Sequence, residues 1–185
     1  MAHVSYSEIK IWNECPHKHK LQYVDRIDGF KGNLHTAFGS AIHSVCEHGL
    51  LKEDLDREEH FLEAFAEELA SLEKKEVEID MSLYNQMMGQ YQPIVSSFRD
   101  GLDDYFENCE VISTEEKLYE DIEGHDMKFK GFIDLVVKTP DGKYHILDWK
   151  TTSWGWNHRR KSDKIVNYQL TLYKVFWAKK HGIPL

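Results

Sequence analysis

Two carboxylates and one ammonium group stand within a short stretch of the chain that is otherwise largely apolar. They belong to Asp134, Asp148 and Lys150. Charged groups in apolar surroundings are costly unless they are paired with each other or bound to a cation. Facing carboxylates can share a divalent cation, and oxygen ligands favour magnesium or manganese over zinc. The backbone carbonyl of Trp149 would add a third oxygen ligand. The competing interpretation is a buried Asp–Lys salt bridge that only stabilises the fold.

The spacing of these residues predicts a β-hairpin. Two apolar segments, 132–138 and 143–150, flank the sequence Thr139-Pro-Asp-Gly142. This sequence suits a type I turn followed by a left-handed residue, as in a three-residue hairpin loop. The resulting register places Asp134 opposite Asp148, and the alternation of side chains puts both carboxylates on one face with the lysine.

A lysine beside two metal-binding carboxylates suits phosphodiester hydrolysis. Such a reaction needs a metal ion to generate hydroxide near neutral pH and cationic groups to offset the charge of the transition state. Lys150 follows Asp148 by two residues and so shares its face of the strand, where its ammonium group can hold the attacking water or the developing phosphate charge.

Charge is unevenly distributed along the chain. The 185 residues carry a net charge of −9. Residues 53–80 hold twelve acids and three bases, whereas residues 143–180 hold nine bases and two acids. Because phosphate binding needs only a local basic patch, the overall negative charge does not exclude a nucleic-acid partner.

Composition favours a protein of a reducing cytoplasm with no membrane partner. No apolar run approaches membrane-spanning length, and the N-terminus lacks the pattern of a secretory signal. Three cysteines without CxxC spacing give neither a disulfide framework nor a self-contained zinc site.

The hydrophobic periodicity predicts helices first, then strands, then one last helix. An N-terminal helical segment begins near a capping box at Ser5 and is interrupted by Pro16. Three helices are predicted to follow, at about 36–51, 53–74 and 82–108, the last kinked or divided at Pro93. Strands are expected at 111–120, 127–138 and 143–151, and a helix at 163–181. We therefore expect an α/β (α+β mixed) fold, a three-stranded antiparallel meander flanked by helices, with a helical N-terminal half.

Five short motifs, in order, resemble the PD-(D/E)XK nuclease superfamily. They are Gly131-Phe-Ile-Asp134, Ile146-Leu-Asp148-Trp-Lys150-Thr-Thr, Gln169-Leu-Thr-Leu-Tyr173, Phe38-Gly-Ser-Ala-Ile-His43 and the N-terminal Ser5-Tyr-Ser-Glu-Ile with Cys15-Pro16. More narrowly they look like the RecB-like exonuclease branch, which includes CRISPR-adaptation and phage exonucleases. The resemblance implies a restriction-endonuclease-like core in a single domain, 1–185, with a helical insertion at about 53–108.

The resemblance also implies roles for individual residues. Asp134 and Asp148 would bind magnesium or manganese, with His43 as an additional ligand, and Lys150 would act on the water or the transition state. On the last helix, Gln169 would pack near the site and help to hold Lys150 or the scissile phosphate.

The resemblance implies roles for two further residues, one on the last helix and one on a strand. Tyr173, four residues after Gln169 and so on the same helical face, would help to hold Lys150 or the scissile phosphate. Glu116 lies on the strand where many members carry an acid, although a slip of one residue in register exchanges it with Glu115.

Two departures from the pattern bear on cofactors and on completeness. Iron–sulfur members pair an N-terminal cysteine with three more near the C-terminus, and this sequence has no such trio. We therefore expect no iron–sulfur cluster in this chain, since cluster ligation needs four thiolates. The sequence stops at Leu185, where the branch usually continues into another strand, so a truncated C-terminus is left open.

The function expected from these observations is metal-dependent hydrolysis of DNA, single-stranded or at duplex ends. It would be an exonuclease or an end- or flap-processing enzyme of recombination, repair or phage DNA metabolism, with a helicase or recombination protein as a candidate partner. The loop after the hairpin could stack bases and hold phosphates through Trp154, Trp156, Arg159, Arg160 and Lys161. The alternatives are a catalytically silent DNA-binding or scaffold subunit of a helicase–nuclease complex and, less well matched in its ligands, a small-molecule metal hydrolase.

Overall fold

The computed structural model describes residues 2–27, 29–152, 155 and 161–185. In these ranges the chain forms four strands, seven α-helices and one π-helical turn at Lys20–Val24. The strands are β1 (His3–Ser5), β2 (Glu110–Asp121), β3 (Lys128–Lys138) and β4 (Tyr144–Leu147). The helices are α1 (Tyr6–Glu14), α2 (Pro16–His19), α3 (Leu34–Leu51), α4 (Arg57–Lys74), α5 (Met81–Met88), α6 (Tyr91–Tyr105) and α7 (Lys164–His181). The predicted mixed α/β class is confirmed. In the described ranges, no helix combines the length and apolar character needed to cross a bilayer.

Strand β3 is the centre of the sheet. Strand β2 pairs with it antiparallel from Glu110↔Lys138 to Asp121↔Lys128, and so follows one edge of β3 along its whole length. The other edge is shared, because β1 pairs parallel with residues 128–130 and β4 pairs antiparallel with residues 135–138. In the described part of the chain, residues 131–134 therefore have no strand partner on that edge.

The hairpin between β3 and β4 has the predicted turn and register. The amide of Gly142 donates to the Thr139 carbonyl at 2.8 Å, and Gly142 is left-handed with φ of 83°. Leu135 pairs with Leu147, which brings the next residues, Asp134 and Asp148, opposite each other. The predicted strand 143–151 is wrong in length, because pairing ends at Leu147 and the following residues run alongside β3 without forming a ladder.

The N-terminus contributes a strand that the sequence pattern did not predict. Three residues are too short for a periodicity signal, and β1 is identified only by its parallel pairing with β3. Ser5 ends this strand and caps α1, accepting the amide of Glu8 at 3.2 Å. The predicted break at Pro16 is confirmed, with Pro16 at the start of α2.

The helical segment at 53–108 packs on α3 and builds most of the aromatic core. Phe61 and Phe65 of α4 are fully buried and contact Phe38 of α3 edge-on, at ring-centre distances of 5.4 and 5.8 Å. The single helix predicted for 82–108 is divided, but at Gly89-Gln90 and not at Pro93. Pro93 stands in the first turn of α6, where a missing amide removes no intrahelical hydrogen bond.

Helix α7 packs across the sheet and closes the remaining core. Its Tyr173 and Trp177 are buried against Phe129 and Ile133 of β3 and Leu118 of β2. The helix begins where the Asp163 side chain accepts the amide of Ile165 at 2.9 Å, and it ends at a left-handed Gly182. Beside the unpaired stretch of β3, a Cβ atom on Gly131 would lie 2.8 Å from the Tyr173 ring.

This close approach makes Gly131 a sensitive position. We expect Gly131→Ala to lower the free energy of unfolding by about 1–3 kcal/mol, because Tyr173 must move away from β3. Urea unfolding followed by circular dichroism measures the change. Gly101→Ala is the matched control, since a Cβ there meets nothing within 4 Å and the position is inside α6. That variant should gain about 0.5–1 kcal/mol, and a neutral Gly131→Ala would contradict the tight packing.

Candidate active site

Three carboxylates lie side by side on three adjacent strands or strand ends. Asp134 is on β3, and Asp148 follows β4 on the hairpin. The flanking pairs Thr114↔Leu135 and Glu116↔Ile133 place Glu115 opposite Asp134 on the other side. Glu115 has a left-handed φ of 45°, an irregularity in the otherwise extended strand. The central member, Asp134, is buried, and the side chain of Asp148 beside it is only 9% exposed.

A histidine from α3 approaches this row from outside the sheet. The Nδ1 atom of His43 lies 3.6 Å from Oδ2 of Asp134. One ligand atom each from His43, Glu115 and Asp134 can be chosen so that all three lie within 4.8 Å of one another. In the described part of the chain no other cluster of three histidine, cysteine or acidic side chains meets this spacing. The predicted position of His43 beside Asp134 is what the structure shows.

The carboxylates raise one another's affinity for protons. Burial, and then the neighbouring charge of Asp148, raise the pKa of Asp134 above its usual range, although His43 partly opposes the shift. The pKa of Glu115 is raised for the same reasons, burial first and then Asp134. Burial and the charge of Asp134 also raise the pKa of the Cys46 thiol to about 12. The centre of the site therefore carries an excess of negative charge.

Asp148 is held by two neighbours. Lys150 forms an ion pair with its Oδ2 atom, and Nε2 of Gln169 donates to its Oδ1 atom at 2.8 Å. The same amide nitrogen lies 3.2 Å from the hydroxyl oxygen of Tyr173. The structure thus brings Asp134, Asp148 and Lys150 together, as the predicted hairpin required. It also places Gln169 and Tyr173 of α7 beside them. Gln169 lies near the site through its contact with Asp148, and its expected contact with Lys150 or the scissile phosphate stays a prediction.

Glu116 lies away from this group, and its predicted place in the site is corrected. Its carboxylate accepts hydrogen bonds from Trp177 Nε1 at 2.8 Å and from Lys180 Nζ at 2.6 Å, and it lies 2.7 Å from His181 Nε2. The reason is register, because Glu115 is the residue opposite Asp134 while Glu116 faces α7. The sequence contained this alternative but no signal that decided it, because the outcome depends on the β2–β3 register, which runs without a shift from Asp121↔Lys128 to Ser113↔Val136.

Trp149 and Tyr6 contact the site through groups that the sequence did not single out. The backbone amide of Trp149 donates to Oδ2 of Asp134 at 2.6 Å, and its carbonyl remains a predicted ligand only. The hydroxyl of Tyr6 donates to the carbonyl of Ile165 in the first turn of α7 at 2.8 Å. The charge of Asp148 contributes, after burial, to a raised pKa of Tyr6, so α1 lies close to the site.

The predicted DNA-contacting loop lies mostly outside the described residues. Trp154, Trp156, Arg159 and Arg160 are not described, whereas Lys161 is described and exposed. The assignment of these five residues to DNA contact stays a prediction.

The model of one protein family matches nearly the whole chain. It is that of the PD-(D/E)XK nuclease superfamily, and it covers residues 3–184. The chain belongs to this superfamily. No curated protein matches the chain significantly, and the narrower RecB-like assignment stays a prediction.

Members of this superfamily are nucleases that use divalent metal ions, and the donor set of this chain fits such an ion. His43, Glu115 and Asp134 offer nitrogen and oxygen ligands at mutual distances that one cation can span. Two of the three are carboxylates whose pKa values are raised by burial and then by neighbouring negative charge, and a cation would relieve that repulsion. Asp148 is adjacent, and its carboxylate is engaged by Lys150 and Gln169.

Removing the charge of Asp134 should stabilise the metal-free protein. A carboxylate whose pKa is raised on folding destabilises the fold at pH values above that pKa. We therefore expect Asp134→Asn to increase the free energy of unfolding at pH 7 in EDTA by about 1 kcal/mol. Millimolar Mn²⁺ should raise the melting temperature of the wild type more than that of the variant. Asp126→Asn, in the exposed β2–β3 turn, is the control, and a destabilised Asp134→Asn protein in EDTA would contradict the electrostatic account.

Glu116 should contribute to stability and not to metal binding. Burial alone would raise its pKa, but hydrogen bonds from Lys180, Ser113 and their neighbours lower it from the ordinary 4.5 to about 2. A carboxylate with a lowered pKa stabilises the fold above its unfolded pKa, and this contribution is lost as the pH falls from about 4.5 towards 2. We expect Glu116→Gln to cost about 1–3 kcal/mol at pH 7 and less at pH 3, measured by urea unfolding. Glu110→Gln, exposed on the same strand, should change neither value.

Proposed function

We propose that this chain is a magnesium- or manganese-dependent deoxyribonuclease that removes nucleotides from DNA ends or flaps. Its place would be in recombination, repair or phage DNA metabolism. The superfamily supports nuclease chemistry on DNA. The observation that carries the proposal is the meeting of two aspartates, one glutamate, one histidine and one lysine at the unpaired stretch of β3.

The metal ligands proposed are His43, Glu115 and Asp134, with Asp148 and the Trp149 carbonyl completing the set. A bound divalent cation would lower the pKa of a coordinated water and offset the charge of the scissile phosphate. The carboxylates are well suited to this role because their raised pKa values reflect charge that the protein alone does not neutralise. His43 adds a nitrogen donor without adding more negative charge.

The ammonium group of Lys150 is proposed to act on the reacting phosphate or the attacking water. It is paired with Asp148 and is 40% exposed, so it is held in place yet accessible to substrate. A positioned cation stabilises the charge that develops on the phosphoryl oxygens in the transition state. Gln169 is proposed as a positioning residue, because its hydrogen bond fixes the Asp148 carboxylate that in turn orients the lysine. Tyr173 supports the Gln169 amide from one helical turn away.

A cleavage assay on end-labelled DNA tests this function. Single-stranded, blunt and flapped substrates are incubated with Mg²⁺, Mn²⁺ or EDTA, and products are resolved by length. We expect metal-dependent cleavage that falls on the order of 100-fold or more in Lys150→Ala and in Asp148→Ala. Lys143→Ala is the matched control, because that lysine stands in the exposed hairpin turn and pairs only with Asp141.

The outcomes separate the enzyme from a silent scaffold subunit. Short products released progressively from an end would support the exonuclease assignment, and internal cuts in circular DNA would contradict it. If the folded wild type binds DNA but cleaves no substrate in either metal, the scaffold function gains and the deoxyribonuclease proposal fails. Cleavage that persists in both variants would contradict the assignment of the site.

A further inference from the structure

A cavity of about 690 Å³ opens directly beside Lys150. It lies between the N-terminal half of α3, the α5–α6 junction and the segment that follows β4. Lys150 and Thr151 belong both to its wall and to the segment that carries the candidate site. The volume falls within the roughly 300–1,000 Å³ of ligand pockets. A group bound in the part of the cavity nearest Lys150 would lie beside the candidate site.

The floor and walls of the cavity suit a flat aromatic group. The apolar part includes Phe38, Ile42 and Met87, and the aromatic rings of Phe98 and Trp149 meet edge-on with centres 6.4 Å apart. Nucleobases are flat and aromatic, and they stack on side-chain rings of this kind.

The rim of the cavity is polar and free of negative charge. Among the described residues that line it, none is acidic, although the chain as a whole carries a net charge of −9. Lys150 and His35 supply the basic groups, and Gln90, Asn33 and the threonines supply amides and hydroxyls. An acid-free wall in an acidic protein is compatible with an entering polyanion.

Thr151 reaches this position because α3 has a glycine beneath it. A Cβ atom on Gly39 would lie 3.3 Å from the Thr151 hydroxyl, which is closer than most Cβ contacts. The absence of a side chain at Gly39 therefore allows the segment after β4 to lie against α3 and to form the wall that the cavity shares with the site.

We propose that this cavity binds the unpaired base of the nucleotide next to the scissile phosphate, so that the substrate is DNA whose end or flap is single-stranded. Paired bases are stacked within a duplex and cannot enter a pocket, whereas an unpaired base can leave the strand and stack on aromatic side chains. Phe98 and Trp149 provide that aromatic surface, and Gln90 contacts the base or sugar at the rim. This proposal rests on the proposed nuclease function for the identity of the strand.

Binding without cleavage tests the cavity independently of the chemistry. Fluorescence anisotropy in EDTA compares a labelled eight-nucleotide oligothymidylate with a blunt hairpin duplex of the same charge. We expect the single strand to bind more tightly, and Phe98→Leu to weaken its binding roughly tenfold, which is the loss of one base stack. Gln90→Glu should weaken it about threefold or more by placing a negative charge at the rim, without disturbing the core, because Gln90 is exposed.

Matched variants identify effects that come from folding or from charge elsewhere. Tyr91→Leu removes another aromatic side chain of α6, one that stacks on Phe61 and does not line the cavity. Gln86→Glu makes the same charge change on α5, at an exposed position outside the cavity. Both controls should bind the single strand as the wild type does. Equal losses in controls and cavity variants would overturn the proposal.

The two proposals fail in different ways. If the wild type binds the blunt duplex as tightly as the single strand, or binds neither, the base-binding role of the cavity is wrong, whatever the cleavage assay shows. If cleavage is metal-dependent but unaffected by Phe98→Leu and Gln90→Glu, the nuclease stands and the cavity proposal fails. If single-strand binding depends on the cavity but no metal supports cleavage, the cavity stands and the nuclease proposal fails.

Discussion

Crowding of negative charge around the buried Asp134 is the constraint on which the rest of the site depends. Three carboxylates from three adjacent chain segments meet there, and burial removes the water that would screen them. The protein offsets only part of this repulsion, through the Trp149 amide, through His43 and through the ion pair between Lys150 and Asp148. Natural selection tolerates such local destabilisation where it serves function. A bound cation is the simplest group that would neutralise the remaining negative charge.

Within the described residues, the site occupies the one stretch where an edge of β3 has no neighbouring strand. Strand β1 ends at Ser5, which pairs with Lys130 of β3, and β4 pairs with β3 only from Leu135 onwards. Gly131 lets the Tyr173 ring approach the vacant edge, and the same helix brings Gln169 to Asp148. Because the ladder is interrupted here, carboxylates and a lysine can converge without displacing backbone hydrogen bonds of the sheet.

The local parts of this arrangement could be predicted from sequence, and the long-range parts could not. The turn at Thr139–Gly142 determines the register of its own hairpin, so the opposition of Asp134 and Asp148 follows from neighbouring residues alone. The choice between Glu115 and Glu116 depends on the β2–β3 register, which the residues of the turn between these strands do not determine in the way that Thr139–Gly142 does. Strand β1 was missed because its three residues gain their conformation only from pairing with β3. Its position was decided by tertiary contacts and not by local preference.

Glu115 and Glu116 are neighbours on β2 and serve different parts of the structure. The two neighbours point to different partners, since Glu115 joins the carboxylate row while Glu116 binds the C-terminal turns of α7 through Trp177 and Lys180. One pKa is raised and the other is lowered, although the side chains are chemically identical. Because Glu116 anchors α7, and α7 carries Gln169, the acid that lies outside the site still fixes the helix that orients Asp148. Adjacent positions of one strand thus supply one acid to the carboxylate row and another that anchors the helix beside it.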